Sequence, residues 1–452
     1  MRLEQEIEKK YRNGMYSEVI NQLTPLLEAH YAKSPQFQEF IHYWVSKSHY
    51  QLQNYPEAIK LAKRIIKNPT TKYRADLLQI LTISYTEMAD LSAAFKYCEE
   101  SLEYFSKLND HQRLSETMNL AGIIRLYQGK YETAQYFFDE GQKLYENSGV
   151  DENSREFKVN KATYYNNIGE IWRSRGNFDL AKEFYSKAQE IYTTIDDKDG
   201  LSLIFNNLGL VSAESGDFQH ALICFDTAYR LLEGDSTLDP EFLLDYAKIA
   251  LSAGKYDRCK ELLHITKKII QPNSRMEAYY FFVKSVLETQ NHNLGLSSHY
   301  LDKANELVRG KRLGSLELEI LLNLSSNSYL HFRLSQNTDY LDVARKYLVQ
   351  AQTVAVATGK TLMVIDVQIL QALIATEKND YQLAREILSD AQTLAKREQN
   401  DFLAETIEEH LEKLSKKEEK DEKSTDMSST DEIYDYMSKI SALFKTGGIT
   451  EG

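Results

Sequence analysis

Side-chain amides recur at one position along this sequence, and their chemistry suits the binding of a polypeptide backbone. They are found three residues before a small residue in four successive segments: Gln79, Asn119, Asn166 and Asn206. An amide group donates and accepts hydrogen bonds at once, so it can pair with both groups of a peptide unit. Two interpretations stay open: these four residues bind an extended peptide, while pockets beside them select its side chains, or some or all of them are structural and connect helices.

Four further residues accompany the amides. Asn167 and Asn207 directly follow two of them and are weaker candidates, because they suit contacts between helices equally well. Glu170 and Arg173 lie one and two helical turns beyond Asn166. Arg173 has two open interpretations: it binds a peptide carboxylate, or it pairs with Glu170 three residues back.

The sequence holds no recognisable catalytic or metal-binding constellation. The segment ATGKT (357–361) ends like a phosphate-binding loop, but position 354 is valine where that loop needs glycine, and no strand precedes it. We predict a turn that ends a helix there. His42 and His49 can share a helix face, but no third metal ligand accompanies them. We expect no enzyme activity, no cofactor and no metal.

Composition limits the class of partner. The formal net charge of −13 argues against a nucleic-acid surface, which needs a basic field. Cys98, Cys224 and Cys259 are scattered singly, which fits a reducing compartment. The N-terminus has no apolar core, and the most apolar stretch, 361–375, is too short and polar to span a bilayer. We expect a cytoplasmic protein that binds protein or peptide, without direct binding to nucleic acid or membrane.

The elements that position the amides are predicted to be pairs of helices. The chain has only 6 prolines among 452 residues, and apolar residues recur in two stripes at helical spacing within each segment. The turn between two helices is marked by glycine, a polar residue and an aromatic one, as in Gly176-Asn177-Phe178 and Gly216-Asp217-Phe218. One such hairpin cannot bury its own apolar face, so the pairs must stack.

The repeated segments resemble the tetratricopeptide repeat (TPR) family. Residues 164–192 follow the pattern of this family. Its positions for an aromatic residue, Leu-Gly, Tyr, Ala and Phe are occupied here by Tyr165, Ile168-Gly169, Trp172, Ala181 and Tyr185. The small residue recurs at 46, 82, 122, 169, 209 and 247, so the repeats are longer than the family's usual length of about 34. The resemblance covers roughly residues 1–414. It implies an all-α, right-handed superhelix of antiparallel helix pairs, with the amides facing a concave groove.

The predicted domain organisation has three parts. Residues 1–414 form a TPR-like array of about nine helix pairs, closed by a capping helix at 401–414. Residues 415–430 form a charged flexible linker. Residues 431–452 form a tail whose short amphipathic helix (431–445) docks on the repeats, binds a partner or is poorly ordered.

Long repeats with amides in the groove are also similar to the sensor domains of peptide-pheromone receptors of Gram-positive bacteria, without their output module. The resemblance implies a non-catalytic, regulatory scaffold that binds an extended peptide in its concave groove. An alternative is a peptide-responsive regulator that sequesters or dephosphorylates a response regulator or transcription factor. This regulator alternative predicts a second interaction surface in residues 1–110. A general assembly chaperone is a further alternative. The sequence leaves the partner, the output and the oligomeric state open.

Overall fold

The computed structural model describes residues 2–28, 34–88, 90–232, 238–270, 272, 275–309, 314–358, 361–397 and 401–421. Within these residues the regular secondary structure consists of 21 helices and no strand, which confirms the predicted all-α class. The chain divides into two compact units, Met1–Glu152 and Asn153–Gly452, named unit 1 and unit 2 below. The sequence predicts a single array over residues 1–414, and the unit boundary falls in one of its long connections between repeats.

Unit 1 contains eight helices that pack on one another in chain order. Their bounds are α1 (Arg2–Arg12), α2 (Tyr16–Glu28), α3 (Pro35–Gln51), α4 (Tyr55–Ile65), α5 (Arg74–Glu87), α6 (Leu91–Leu108), α7 (His111–Tyr127) and α8 (Tyr131–Glu146).

Unit 2 contains the other thirteen helices of the described residues. Their bounds are α9 (Arg155–Ser174), α10 (Phe178–Thr194), α11 (Lys198–Glu214), α12 (Phe218–Leu231), α13 (Pro240–Ser252), α14 (Tyr256–Ile269), α15 (Arg275–Gln290), α16 (Leu294–Val308), α17 (Gly314–Ser335), α18 (Asp339–Thr358), α19 (Thr361–Glu377), α20 (Tyr381–Arg397) and α21 (Asp401–Asp421). The described helices thus form ten consecutive pairs followed by α21, which packs on α20. We refer to the odd-numbered member of each pair as its first helix.

The turns within the pairs have the predicted chemistry. Gly176 and Gly216 adopt left-handed φ angles of 78° and 85°, which glycine reaches without steric cost. The next residue caps the second helix: Asn177 accepts a hydrogen bond from the backbone N–H of Leu180 at 3.2 Å. Glycine and asparagine therefore end one helix and start the next.

Small residues let the two helices of a pair approach closely, as the sequence predicts. A Cβ atom added at Gly169 would lie 2.6 Å from the ring of Tyr185, and one at Gly209 would lie 2.7 Å from the ring of Phe225. Both rings are fully buried. The aromatic residue of the second helix therefore packs directly against the glycine of the first helix.

The C-terminal boundary differs from the prediction. Helix α21 continues to Asp421, so the segment 415–421, predicted to begin a flexible linker, is helical. Its sequence is rich in lysine and glutamate, which are good helix formers. The rest of the predicted linker and the 431–445 helix lie outside the described residues, as do Gly359 and Lys360 of the predicted turn. Among the described residues, no helix is long and apolar enough to cross a membrane.

Candidate functional site

The four central asparagines form a hydrogen-bonded chain between the first helices α9 and α11. Asn207 donates its amide N–H to the Oδ1 atom of Asn166 over 2.8 Å. Asn206 donates to Asn207 over 3.3 Å, and Asn166 donates to Asn167 over 3.5 Å. Two residue pairs that are 40 positions apart in sequence therefore become one network, which we name the amide chain.

The amide chain has one unused atom at each end. All four side chains are buried, with exposed fractions from 1% for Asn207 to 8% for Asn166. The Nδ2 atom of Asn167 and the Oδ1 atom of Asn206 have no hydrogen-bond partner in the described part of the chain. Most buried polar groups in proteins are paired, so an unpaired donor and acceptor in one network need an explanation.

Arg173 pairs with carboxylates, which is the second of its two sequence-based interpretations. Its guanidinium group donates to Glu170 on α9, with Nη2 2.8 Å from Oε2. It also reaches across to α11, where Nη1 lies 2.5 Å from Oε1 of Glu214. Tyr185 donates its hydroxyl group to Glu170 as well. Arg173 is 6% exposed, so it connects two first helices from a buried position.

Burial governs the protonation of this cluster. Desolvation raises the pKa of Glu214 to about 7, although Arg173 acts in the opposite direction. Two carboxylates share one guanidinium group here, and water does not screen their repulsion. The cluster therefore holds a carboxyl group that titrates near neutral pH.

A second buried charge cluster lies further along unit 2, and sequence analysis missed it. Lys248 on α13 pairs with Glu319 on α17 over 3.0 Å, although the two residues are 71 positions apart in sequence. Asp245 accepts a hydrogen bond from the hydroxyl group of Tyr279 on α15. The sequence contained one signal of this cluster: Asp245 and Lys248 are charged residues in the otherwise apolar segment FLLDYAKIA (242–250).

A cavity of about 180 Å³ lies next to the amide chain, between α11 and α13. Asn206 lines it, together with four carboxylates from Asp199, Asp239, Glu241 and Asp245. The apolar part of its wall is formed by Leu203, Leu232 and Phe242. The amide chain and this acidic cavity therefore share one residue, Asn206.

The two remaining predicted residues belong to unit 1. Gln79 on α5 is exposed and lines a polar cavity of about 450 Å³ with residues of α7, including Arg113 and Glu116. Asn119 on α7 is half-buried and does not line that cavity. The structure thus brings together Asn166, Asn167, Asn206 and Asn207 as one group and Glu170 with Arg173 as another.

The polar groups of this region are hydrogen-bond donors and acceptors and carboxylates. Among the described residues, no group of three or more His, Cys, Asp or Glu side chains is placed to hold a metal ion. The amide chain offers a donor and an acceptor, and the cavity beside it offers only acceptors at its carboxylates. The two unpaired amide atoms are buried, so a ligand reaches them only after the outer amides turn.

Comparison with known proteins identifies the repeats. Residues 75–147 and 160–234 match the family described as tetratricopeptide repeat, so these two segments are TPR repeats. They contain α5 to α8 and α9 to α12, apart from the first residues of α5 and α9. No curated protein matches the sequence.

Solved structures share the fold at low sequence identity. The Rap protein complexed with competence and sporulation factor is 13% identical, with a TM-score of 0.53 over 79% of this chain and 97% of that chain. The Rap conjugation gene regulator of plasmid pLS20, in complex with the Phr* peptide, is 12% identical, with a TM-score of 0.51 over 79% of this chain and 95% of that chain. This likeness concerns the fold and agrees with the predicted resemblance.

Proposed function

We propose that this chain, whose residues 75–147 and 160–234 are tetratricopeptide repeats, is a non-catalytic scaffold that binds an extended segment of peptide or protein. The segment lies along the first helices α9 and α11 of unit 2. The observation that carries the proposal is the amide chain with its unpaired donor on Asn167 and unpaired acceptor on Asn206. The backbone of an extended peptide carries C=O groups that can accept from the Nδ2 atom of Asn167, and N–H groups that can donate to the Oδ1 atom of Asn206, once these amides turn outward.

Three features support this proposal. The terminal torsion of asparagine is soft, so the outer amides can turn toward a ligand without leaving their rotamers. The inner hydrogen bond, from Asn207 to Asn166, is the shortest of the three at 2.8 Å and connects the two helices. The structure of the pLS20 regulator, which shares this fold, contains a peptide.

Selection from a library of displayed random peptides tests the proposal. The purified full chain is expected to enrich a family of related peptides. Asn206→Ala removes one hydrogen bond to the ligand and is expected to weaken the best peptide up to about tenfold, which corresponds to about 1.4 kcal/mol. Fluorescence anisotropy with the labelled peptide measures the change.

Gln219→Ala is the matched control, because Gln219 is an exposed amide on α12, the second helix of the same pair. This variant should bind the peptide like the wild type. The proposal fails if no peptide family is enriched. It also fails if a well-folded Asn206→Ala protein binds the selected peptide with unchanged affinity.

The sequestering regulator is a second candidate function, and the unit 1 cavity favours it. This cavity exposes charges of both signs beside Gln79, as a second interaction surface would. A photo-crosslinking amino acid in place of Gln79 tests the idea in the native cell extract. The crosslinks to a regulatory protein should change when the selected peptide is added. Crosslinks that do not depend on the peptide would contradict this candidate.

A further inference from the structure

Unit 2 has an apolar groove between the second helices α18 and α20, with the first helix α19 packed on both of them. On α18, Val349, Gln352 and Val356 share one stripe, because they follow one another at three and four positions. Gln371 of α19 donates a hydrogen bond to Gln352 over 3.1 Å, so this stripe borders α19. The two valines are 56% and 67% exposed, and they form one wall of the groove.

The opposite wall comes from α20. Leu383, Ile387 and Leu394 lie on one stripe of this helix. Leu383 is 44% exposed, and the other two are half-buried. Arg385 is two positions from Leu383, about 200° around the helix, and it contacts Ser415 of α21 over 3.4 Å. The stripe of Leu383 therefore faces away from α21 and toward α18.

The C-terminal segment of the chain starts beside one end of this groove. Lys417 of α21 lies 3.4 Å from Glu377 at the end of α19, and the next residue, Lys378, pairs with Asp342 of α18 over 3.1 Å. Helix α21 ends four residues after Lys417. Residues 422–430 can span up to about 30 Å, whereas one helix is about 10–12 Å wide. The segment that follows them can therefore reach the groove.

The shape of residues 431–445 fits the groove if they form the helix that their sequence predicts. Their apolar residues recur at helical spacing: Ile433, Met437, Ile440, Leu443 and Phe444. A helix over this range is about 22 Å long, and α20, with 17 residues, is about 25 Å long. An amphipathic helix binds by laying its apolar stripe into a groove of this kind.

The charges of the segment fit the groove as well. Three carboxylates lie in its first two turns: Asp431, Glu432 and Asp435. Arg345 is exposed on α18, one turn before Val349 and at the end of the groove near α21. Lys439 follows in the segment, and Asp390 is exposed further along α20. Opposite charges therefore meet when the segment runs in the direction of α20.

We propose that residues 431–445 dock as a helix in the groove between α18 and α20 of their own chain. Their apolar stripe packs on Val349, Val356 and Leu383, and the contact removes this apolar surface from water. A partner that uses the groove must displace the segment. The docking is independent of the proposed peptide binding, because the amide chain lies on α9 and α11.

Hydrogen–deuterium exchange of the full chain, read by mass spectrometry, tests the docking. The backbone N–H groups of residues 433–444 are expected to exchange at least about tenfold more slowly than in a free peptide of the same sequence. The double variant Val349→Ser/Val356→Ser removes apolar contact from one wall and should reduce this protection about tenfold. Unprotected exchange of residues 433–444 in the wild type would overturn the inference.

Val343→Ser is the matched control for the two valines. Val343 is a 41% exposed residue of α18, and it lies nine positions before Gln352, about 180° around the helix. This variant should keep the full protection of residues 433–444. All three valines are exposed, so circular dichroism should show unchanged melting temperatures. Protection that survives in the double variant, or that falls equally in Val343→Ser, would overturn the assignment to this groove.

Chemical crosslinking shows which copy supplies the segment. Val349→Cys and Ser441→Cys in one chain are joined by a short bismaleimide, and the three native cysteines are buried. The linked product is expected at the mass of one chain, and a mixture of the two single variants should give no linked dimer. Linked dimers from the mixture would assign the groove to the segment of a second copy. No linkage in either sample would also contradict the docking.

Discussion

At the residue scale, asparagine has two roles in the amide chain. Asn207 is almost fully buried and connects α11 to α9 through Asn166, which is an architectural contact. Asn206 and Asn167 end the chain with unpaired atoms. Asn167 and Asn207 were the weaker binding candidates in the sequence, and their neighbours Asn166 and Asn206 are members of the same network. The hydrogen bonds distinguish the inner pair, Asn166 and Asn207, from the outer residues Asn167 and Asn206, and this division differs from the ranking made from the sequence.

We predict that Asn207→Ala destabilises the folded chain by about 1–3 kcal/mol. The substitution leaves the Oδ1 atom of Asn166 buried without its donor, and an unpaired buried acceptor costs this much. The urea midpoint measured by circular dichroism reports the loss. Gln219→Ala, at an exposed site, should stay within about 0.5 kcal/mol of the wild type. Equal midpoints for the two variants would contradict the architectural role of Asn207.

We predict that Glu214 makes stability fall as the pH rises toward neutrality. Its pKa is about 7 in the folded protein, against an ordinary value of 4.5, so the folded state binds the proton more tightly. The contribution is complete below pH 4.5 and is lost as the pH rises through about 7. A tenfold difference in acid constant is worth about 1.4 kcal/mol.

The variant Glu214→Gln isolates this contribution, because glutamine does not titrate. Melting temperatures of both proteins are measured from pH 4.5 to pH 8. The wild type should lose stability relative to the variant across this range. Parallel curves would show that the proton affinity of Glu214 is the same in the folded and unfolded states.

At the element scale, the helix pairs depend on positions where no side chain fits. Gly122, Gly169 and Gly209 each face an aromatic ring of the second helix. The alanines of the second helices, such as Ala181 and Ala221, are fully buried. Close approach of the two helices therefore comes from small residues on both sides, and the aromatic ring fills the remaining space.

We predict that Gly169→Ala destabilises the protein by about 1–3 kcal/mol through overpacking. The added methyl group would lie 2.6 Å from the ring of Tyr185, which is fully buried, so the ring would have to shift within the core. Gly295→Ala is the matched control, since a Cβ atom there meets nothing within 4 Å. That variant should be neutral or more stable by up to about 1 kcal/mol. Urea midpoints compare them, and equal losses would contradict the packing argument.

At the scale of the whole molecule, the hydrophobic cores follow the division into two units. The clusters of buried residues in unit 1 end before residue 152, and those in unit 2 begin after residue 153. All residues of the amide chain and of the acidic cavity belong to unit 2. Unit 2 therefore contains a core of its own and the whole proposed binding surface.

We predict that a fragment of residues 153–452 folds alone and keeps the peptide binding proposed for the full chain. Repeat arrays are stabilised by contacts between neighbours, and within unit 2 each helix from α9 to α20 packs on the next. Circular dichroism should show a cooperative melt, and anisotropy should show a peptide affinity close to that of the full chain. A folded fragment without peptide binding would show that the proposed surface is incomplete in unit 2.

The sequence by itself determined the class of fold, the helix pairs, the glycine turns and the close helix contacts. These features depend on short-range patterns: helical spacing of apolar residues, left-handed glycines such as Gly176, and small residues opposite aromatic ones. It also indicated the amides as an unusual group. It did not determine the C-terminal boundary, because a lysine- and glutamate-rich segment suits both a linker and an exposed helix.

Only the tertiary structure decided which polar residues meet. Arg173 and Glu214 are 41 residues apart, and Lys248 and Glu319 are 71 residues apart, so no local pattern connects them. The burial that raises the pKa of Glu214 also depends on neighbouring helices. The acidic cavity arises because α11 and α13 place their carboxylates around one space. Such contacts depend on how the helices stack, which a single sequence does not specify residue by residue.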